Sequence, residues 1–151
     1  MKIQKRKNGG FTLIELMVVL VLIVGLTIAF WPQISQALGI GDAGKVRTQI
    51  TEIQSGAMLY KQRKNIYDSG FNMTALQSQG FISKRMGTGT AINPWGGNYT
   101  VAANSSDSTQ YIVTVTGIKN ASIGAQLQDD YATSAISAAF SGSTLTITFQ
   151  G

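Results

Sequence analysis

From Phe11 to Trp31 the chain runs for 21 residues with a single charged side chain, Glu15. Coiled as an α-helix at ~1.5 Å per residue, that run is roughly 31 Å long, close to a hydrocarbon core of ~30 Å. No other feature constrains the fold as strongly. Leu16–Leu26 holds no polar side chain at all. A run this apolar has to be covered by lipid or by other apolar surface. It outlasts the ~7–15-residue apolar region of an ordinary secretory signal. Its far end reads Phe30-Trp31-Pro32 instead of a small-residue cleavage site, so it is expected to stay in the mature protein. Lys2, Lys5, Arg6 and Lys7 precede it, whereas residues 33–44 carry no Lys or Arg and only Asp42. That asymmetry predicts a cytoplasmic N-terminus and a body outside, with Trp31 as an interfacial anchor.

The remainder of the 151 residues suits one modest domain. The formal charge of +5 is mostly a property of the first ten residues. Beyond Gly10, eight Lys and Arg face seven Asp and Glu, a balance of +1. We therefore read no nucleic-acid footprint in the composition. Lys45, Arg47, Lys61, Arg63 and Lys64 are diluted by Asp42 and Glu52 and read as a solvated helix face. With no Cys and no His, disulfides, thiol nucleophiles, Cys/His zinc sites and an imidazole base are all out of reach. The adjacent acids Asp129 and Asp130 lack a third acid nearby in sequence, so they read as solvated or capping rather than calcium-binding. No catalytic residue, metal site or cofactor is expected. Four Asn-x-Ser/Thr tripeptides, beginning at Asn72, Asn98, Asn104 and Asn120, carry little weight.

Glu15 is the anomaly. A carboxylate at the middle of a spanning helix costs about 2.5–3.5 kcal/mol on insertion scales, and less near the ends. One reading has Glu15 snorkel to the headgroups. The other pairs it with a positive charge supplied by processing. A cut between Gly10 and Phe11 would create an α-amine four residues away, about one helical turn within a chain. That amine could equally meet the Glu15 of a staggered neighbour where water is scarce.

The stretch KRKNGGFTLIELMVVLVLIVGLTIAFWP, residues 5–32, resembles the N-terminal signal of type IV prepilins and type II secretion pseudopilins. The resemblance implies cleavage after Gly10 by a membrane prepilin peptidase and N-methylation of Phe11. It implies assembly roles for Thr12 and Glu15, and matches Pro32 to a proline frequent in that family's first helix. It implies a homo-oligomeric helical fibre, with membrane lipid and the inner-membrane assembly machinery as earlier partners. The expected organisation is a leader at 1–10, a membrane and fibre-core segment at 11–31, and a globular domain at 32–151. The subunit would sit in the inner membrane before assembly and in an extracellular pilus afterwards, serving adhesion, motility, DNA uptake or conjugation. Alternatives are a pseudopilin, a minor adhesive pilin, or a monomeric membrane-anchored binding protein. Many pilins carry a C-terminal disulfide that this chain lacks, and type IVa and IVb traits are mixed.

Past Pro32, Val46, Ile50, Ile53, Ala57 and Tyr60 recur at helical spacing and predict an amphipathic second half of one long helix. Gly39, Gly41 and Gly44 crowd the junction, each costing roughly 0.5–1 kcal/mol against Ala inside a helix. A bend, a local break or a segment that melts on assembly is expected there. A short helix is predicted within residues 69–82, capped by Asn72 or Thr74 and stopped by Gly80. Trp95 lies in a turn, as core or turn filler. Residues 99–116 predict a hairpin with the connector Asn104–Thr109. Residues 121–135 suggest a short helix with Ile123 and Leu127 inward, and the tail two strands around Ser141-Gly142-Ser143. The predicted class is α+β, a long N-terminal helix packed on an antiparallel sheet of about four strands.

Overall fold

The computed structural model describes residues 12–151, and of residue 32 and residues 35–40 the backbone alone. Two compact units meet in sequence between Ala37 and Leu38. Helix α1, Leu13–Lys64, contributes to both.

In the first unit the apolar run is helical and bare. Leu13–Trp31 has a mean hydropathy of 2.8, and none of it is buried within the chain. Pro32, Gly39, Gly41 and Gly44 lie on unbroken α-helical backbone, so the local break is absent from the isolated chain. A Cβ added at Gly41 or Gly44 would meet nothing within 4 Å. No close approach requires glycine at those two positions.

The second unit forms because α1 turns amphipathic. Ala43, Val46, Ile50, Ile53, Ala57 and Tyr60 are buried, at steps of three and four residues. Each fully buried aliphatic side chain contributes roughly 1.5–3 kcal/mol. Lys45, Thr48, Thr51 and Ser55 face solvent. Helix α2, Met73–Ser78, starts where the Asn72 side chain accepts from the Ala75 N–H at 2.8 Å. Gly80, at φ +71°, follows it. A 3-10 turn spans Lys84–Met86.

The sheet comprises β1 (Tyr99–Asn104), β2 (Asp107–Val115), β3 (Ser137–Ser141) and β4 (Thr144–Gln150), in the order β1-β2-β4-β3. Every neighbouring pair is antiparallel. Helix α3, Ala121–Tyr131, begins under an Asn120 cap and buries Ile123 and Leu127 as expected. The first hairpin differs from its sequence reading. Asn104 pairs with Asp107 across a register shift, so only Ser105 and Ser106 turn the chain. Asp107 accepts from the Thr109 N–H at 2.8 Å and from the Gln110 amide at 3.0 Å, which organises the first residues of β2. A polar run that read as loop is therefore ladder. One sheet face, Tyr99, Val101, Tyr111, Val113, Val115, Leu145, Ile147 and Phe149, joins the α1 stripe in a single core. The other is threonine-rich, with Thr100, Thr114 and Thr146 opposite one another.

The turn before β1 hangs on Asn93, a polar side chain buried in the core region. Its amide donates to the Thr116 carbonyl at 2.6 Å, and its oxygen accepts from the Trp95 and Gly97 N–H groups at 3.1 and 2.7 Å. Trp95 is half-buried against the core. A Cβ at Gly97 would fall 1.9 Å from the Thr116 carbonyl oxygen, so only glycine fits there. Asn93→Ala orphans those partners and should destabilise the second unit by about 1–3 kcal/mol in thermal unfolding, more than Thr114→Ala on the half-exposed sheet face.

All five tyrosines lie in this unit, and the aromatic ones among its core pack closely: Tyr67 and Phe71 at 4.8 Å, Tyr67 and Tyr111 at 4.9 Å between ring centroids. The Tyr60 hydroxyl donates to Asp68 at 2.5 Å. That bond holds the Asp68 carboxyl below its ordinary value, with the Gly70 N–H and Lys64 adding to the effect. Burial, then the Asp68 bond, pushes Tyr60 up to about 12. Burial pushes Tyr67 and Tyr131 up to about 12 as well, and raises Tyr99 and Tyr111. A raised folded-state value means stability that is present below the ordinary value of 10 and lost as pH rises through about 12. Tyrosinate absorbance should therefore stay low at pH 10.5 and appear together with loss of near-ultraviolet dichroism towards pH 12. Smooth titration near pH 10 with the fold intact would contradict this packing.

Candidate functional site

Helix α1 begins immediately after Thr12, and the first turn satisfies its own polar groups. The Glu15 carboxylate accepts from the Thr12 N–H at 2.8 Å and from the Thr12 hydroxyl at 2.9 Å, both at Oε2. In return the Thr12 hydroxyl oxygen accepts from the Glu15 N–H at 3.3 Å. The Leu16 N–H bonds the Thr12 carbonyl at 3.2 Å, closing the first turn. This is a reciprocal capping box, with Thr at the N-cap and Glu three residues on. In water such a cap is worth about 1 kcal/mol. In a bilayer an orphan N–H costs several kcal/mol, so the same pair matters more there.

The capping box makes Thr12 the partner of Glu15, which neither sequence reading considered. The signal was present: Thr-x-x-Glu at the start of an apolar run. Among the described residues Glu15 Oε1 accepts no hydrogen bond.

Below the cap, the α1 surface from Leu13 to Ile34 exposes every large apolar side chain the structure describes. An exposed apolar surface of this extent marks an interaction site or a membrane segment. The Thr27 hydroxyl bonds back to the Ile23 carbonyl at 2.8 Å, hiding the one hydroxyl inside the run. Cap and run together make a helix with a bonded first turn and sides that are wholly apolar.

Gly10 and Phe11 lie outside the described residues. Thr12 and Glu15 are brought together. Pro32, Gly39, Gly41 and Gly44 are on helix well beyond the cap and do not touch it in sequence or by hydrogen bond among the described residues. Asp130 bonds Arg47 at 2.7 Å, while Asp129 is exposed. Among the described residues no group of three or more His, Cys, Asp or Glu converges on a metal-sized space.

The chain matches the family model of the prokaryotic N-terminal methylation motif over residues 5–29. No curated protein and no solved structure matches the chain. The match brackets the capping box and most of the bare helix, and it supports prepilin-type cleavage and N-methylation. Motif and apolar helix fit membrane anchoring before assembly. Together they support a type IV pilin- or prepilin-like protein, with its subtype undetermined.

Proposed function

We propose that this chain is the structural subunit of a type IV pilus. The leader, residues 1–10, is removed by prepilin peptidase, and Phe11 becomes a methylated N-terminus. The segment 11–31 holds the subunit in the inner membrane with the body outside. It then leaves lipid and packs against copies of itself in the core of an extracellular fibre. The domain at 32–151 forms the fibre surface.

One observation carries the reading: a carboxylate sits at the head of a fully uncovered apolar helix, held in a set geometry by Thr12. A pure anchor needs nothing from a carboxylate there beyond the cap. A subunit that must align with its neighbour gains an alignment point, because an amine in a low-dielectric layer is strongly attracted to it. The cap keeps Glu15 tolerable in lipid until that amine arrives. Gly41 and Gly44, which have no packing reason to be glycine, support local melting of α1 as subunits compact into the fibre.

Mass spectrometry of sheared surface material tests the proposal. The expected result is fibres built of a chain that begins at methylated Phe11. Protein that keeps residues 1–10 and stays in the membrane would contradict it. Glu15→Ala should still insert and be cleaved, but lower fibre yield by about tenfold or more, in keeping with about 2 kcal/mol for a charge-assisted bond. Thr12→Val deletes the hydroxyl but keeps the amide–carboxylate bond, so its loss should be smaller, and Thr12→Ser should restore wild-type yield. Wild-type yield from Glu15→Ala would remove the alignment role.

A further inference from the structure

Near Lys45 and Arg47 the two flanks of α1 differ in net charge. Lys45 and Arg47 are two residues apart, hence about 200° apart around the helix, and flank the buried stripe of Val46 and Ile50 on opposite sides. On the Lys45 side a groove of about 480 Å3 opens between α1 and the Lys84–Met86 turn. Lys45, Thr48, Gln49, Arg85 and Ile92 line it, with no acid among its lining residues. Its floor is fixed: Gln49 donates to the Ile92 carbonyl at 3.1 Å and accepts from the Tyr99 hydroxyl at 2.8 Å. Asp42 reaches Lys45 only at 3.4 Å, from an exposed position. Lys84 and Arg85 make no salt bridge among the described residues.

The Arg47 side is the reverse. There the end of α3 is docked by Arg47, whose guanidinium bonds Asp130 at 2.7 Å. Asp129, two residues from the buried Leu127, points away from the core and makes no salt bridge among the described residues. With Arg47 counted, this flank carries −1, from two acids and one base. The groove flank carries +1, from Lys45, Lys84 and Arg85 against Asp42 and Glu52, whose carboxylate accepts from the Ser83 N–H at 2.7 Å.

We propose that the basic groove receives the acidic end of α3 from a second copy of this chain. Complementary charge on opposite flanks of one helix makes a heterologous contact: each copy offers its groove to one neighbour and its α3 to the other. Such a contact propagates instead of closing as a two-fold pair does. The inference rests on the fibre reading above and deepens it, by naming the surface that sets how neighbouring bodies register. An exposed ion pair contributes little by itself. Its weight is in specificity, since like charges brought face to face are costly.

A charge swap in the full-length chain tests this, reading sheared fibre yield together with membrane insertion and leader cleavage. Lys84→Glu with Arg85→Glu, and separately Asp129→Lys, should each lower yield by about tenfold or more while insertion and cleavage stay at wild-type level. The three substitutions combined should restore yield to within about twofold of wild type. Wild-type yield from either charge reversal would overturn the interface. So would a triple variant no better than its parents, which would assign the groove to some other acidic partner. Absence of fibres from the wild-type chain would overturn the fibre reading as well, whereas the preceding outcomes leave that reading standing.

Discussion

A single carboxylate in the first turn of an apolar helix is the constraint around which the rest of the molecule is arranged. Left alone in hydrocarbon it would be expensive. Here it is bonded to the amide and hydroxyl of Thr12, and those bonds end the helix at that residue. The cost of one buried charge and the cost of orphan helix-terminal amides are offset against each other. Among the described residues only one carboxylate oxygen accepts hydrogen bonds, and the proposed assembly role gives the other its donor.

Everything beyond the membrane segment follows from α1 changing character. Up to Ile34 its described side chains are exposed and apolar, and from Ala43 on its apolar residues narrow to a stripe. The stripe nucleates a core that a four-stranded sheet completes. The flanks of the stripe, no longer needed for packing, carry the charges that distinguish one side of the body from the other. Without disulfides, the C-terminal region is held by ladder pairing of β4 with both β2 and β3, and by α3 docked through Arg47 and Asp130.

Much of this was legible in the residues. The apolar run and the stripe at 46, 50, 53, 57 and 60 rest on periodicity, which burial enforces. The Asn72 start and Gly80 stop rest on local backbone chemistry. What escaped was non-local or was a polar group in an unexpected role. The placement of β2 beside β4 depends on which strand edges remain free after α3 packs, and no local signal encodes that. Asp107–Thr109 looks like loop because its residues are small and polar, yet a carboxylate bonding its own backbone holds them in the ladder. Asn93 carries no local signal of its role, and only the folded turn reveals the carbonyl and amides it ties together. At the candidate site the spacing of Thr12 and Glu15 was readable, whereas the use of one carboxylate oxygen for both bonds was visible only in the geometry.

The most direct test of the central claim is a distance in the assembled state. Fibres grown from a mixture of two preparations, one carrying 13C at the Glu15 carboxyl carbon and the other 15N at the Phe11 amine, allow that distance to be measured by solid-state dipolar recoupling. Coupling is then seen only between different copies. Pairing across copies predicts a separation of about 4 Å, the range of an ion pair. No detectable coupling in well-ordered mixed fibres would show that Glu15 meets only its own chain, and the alignment role assigned to it would be wrong.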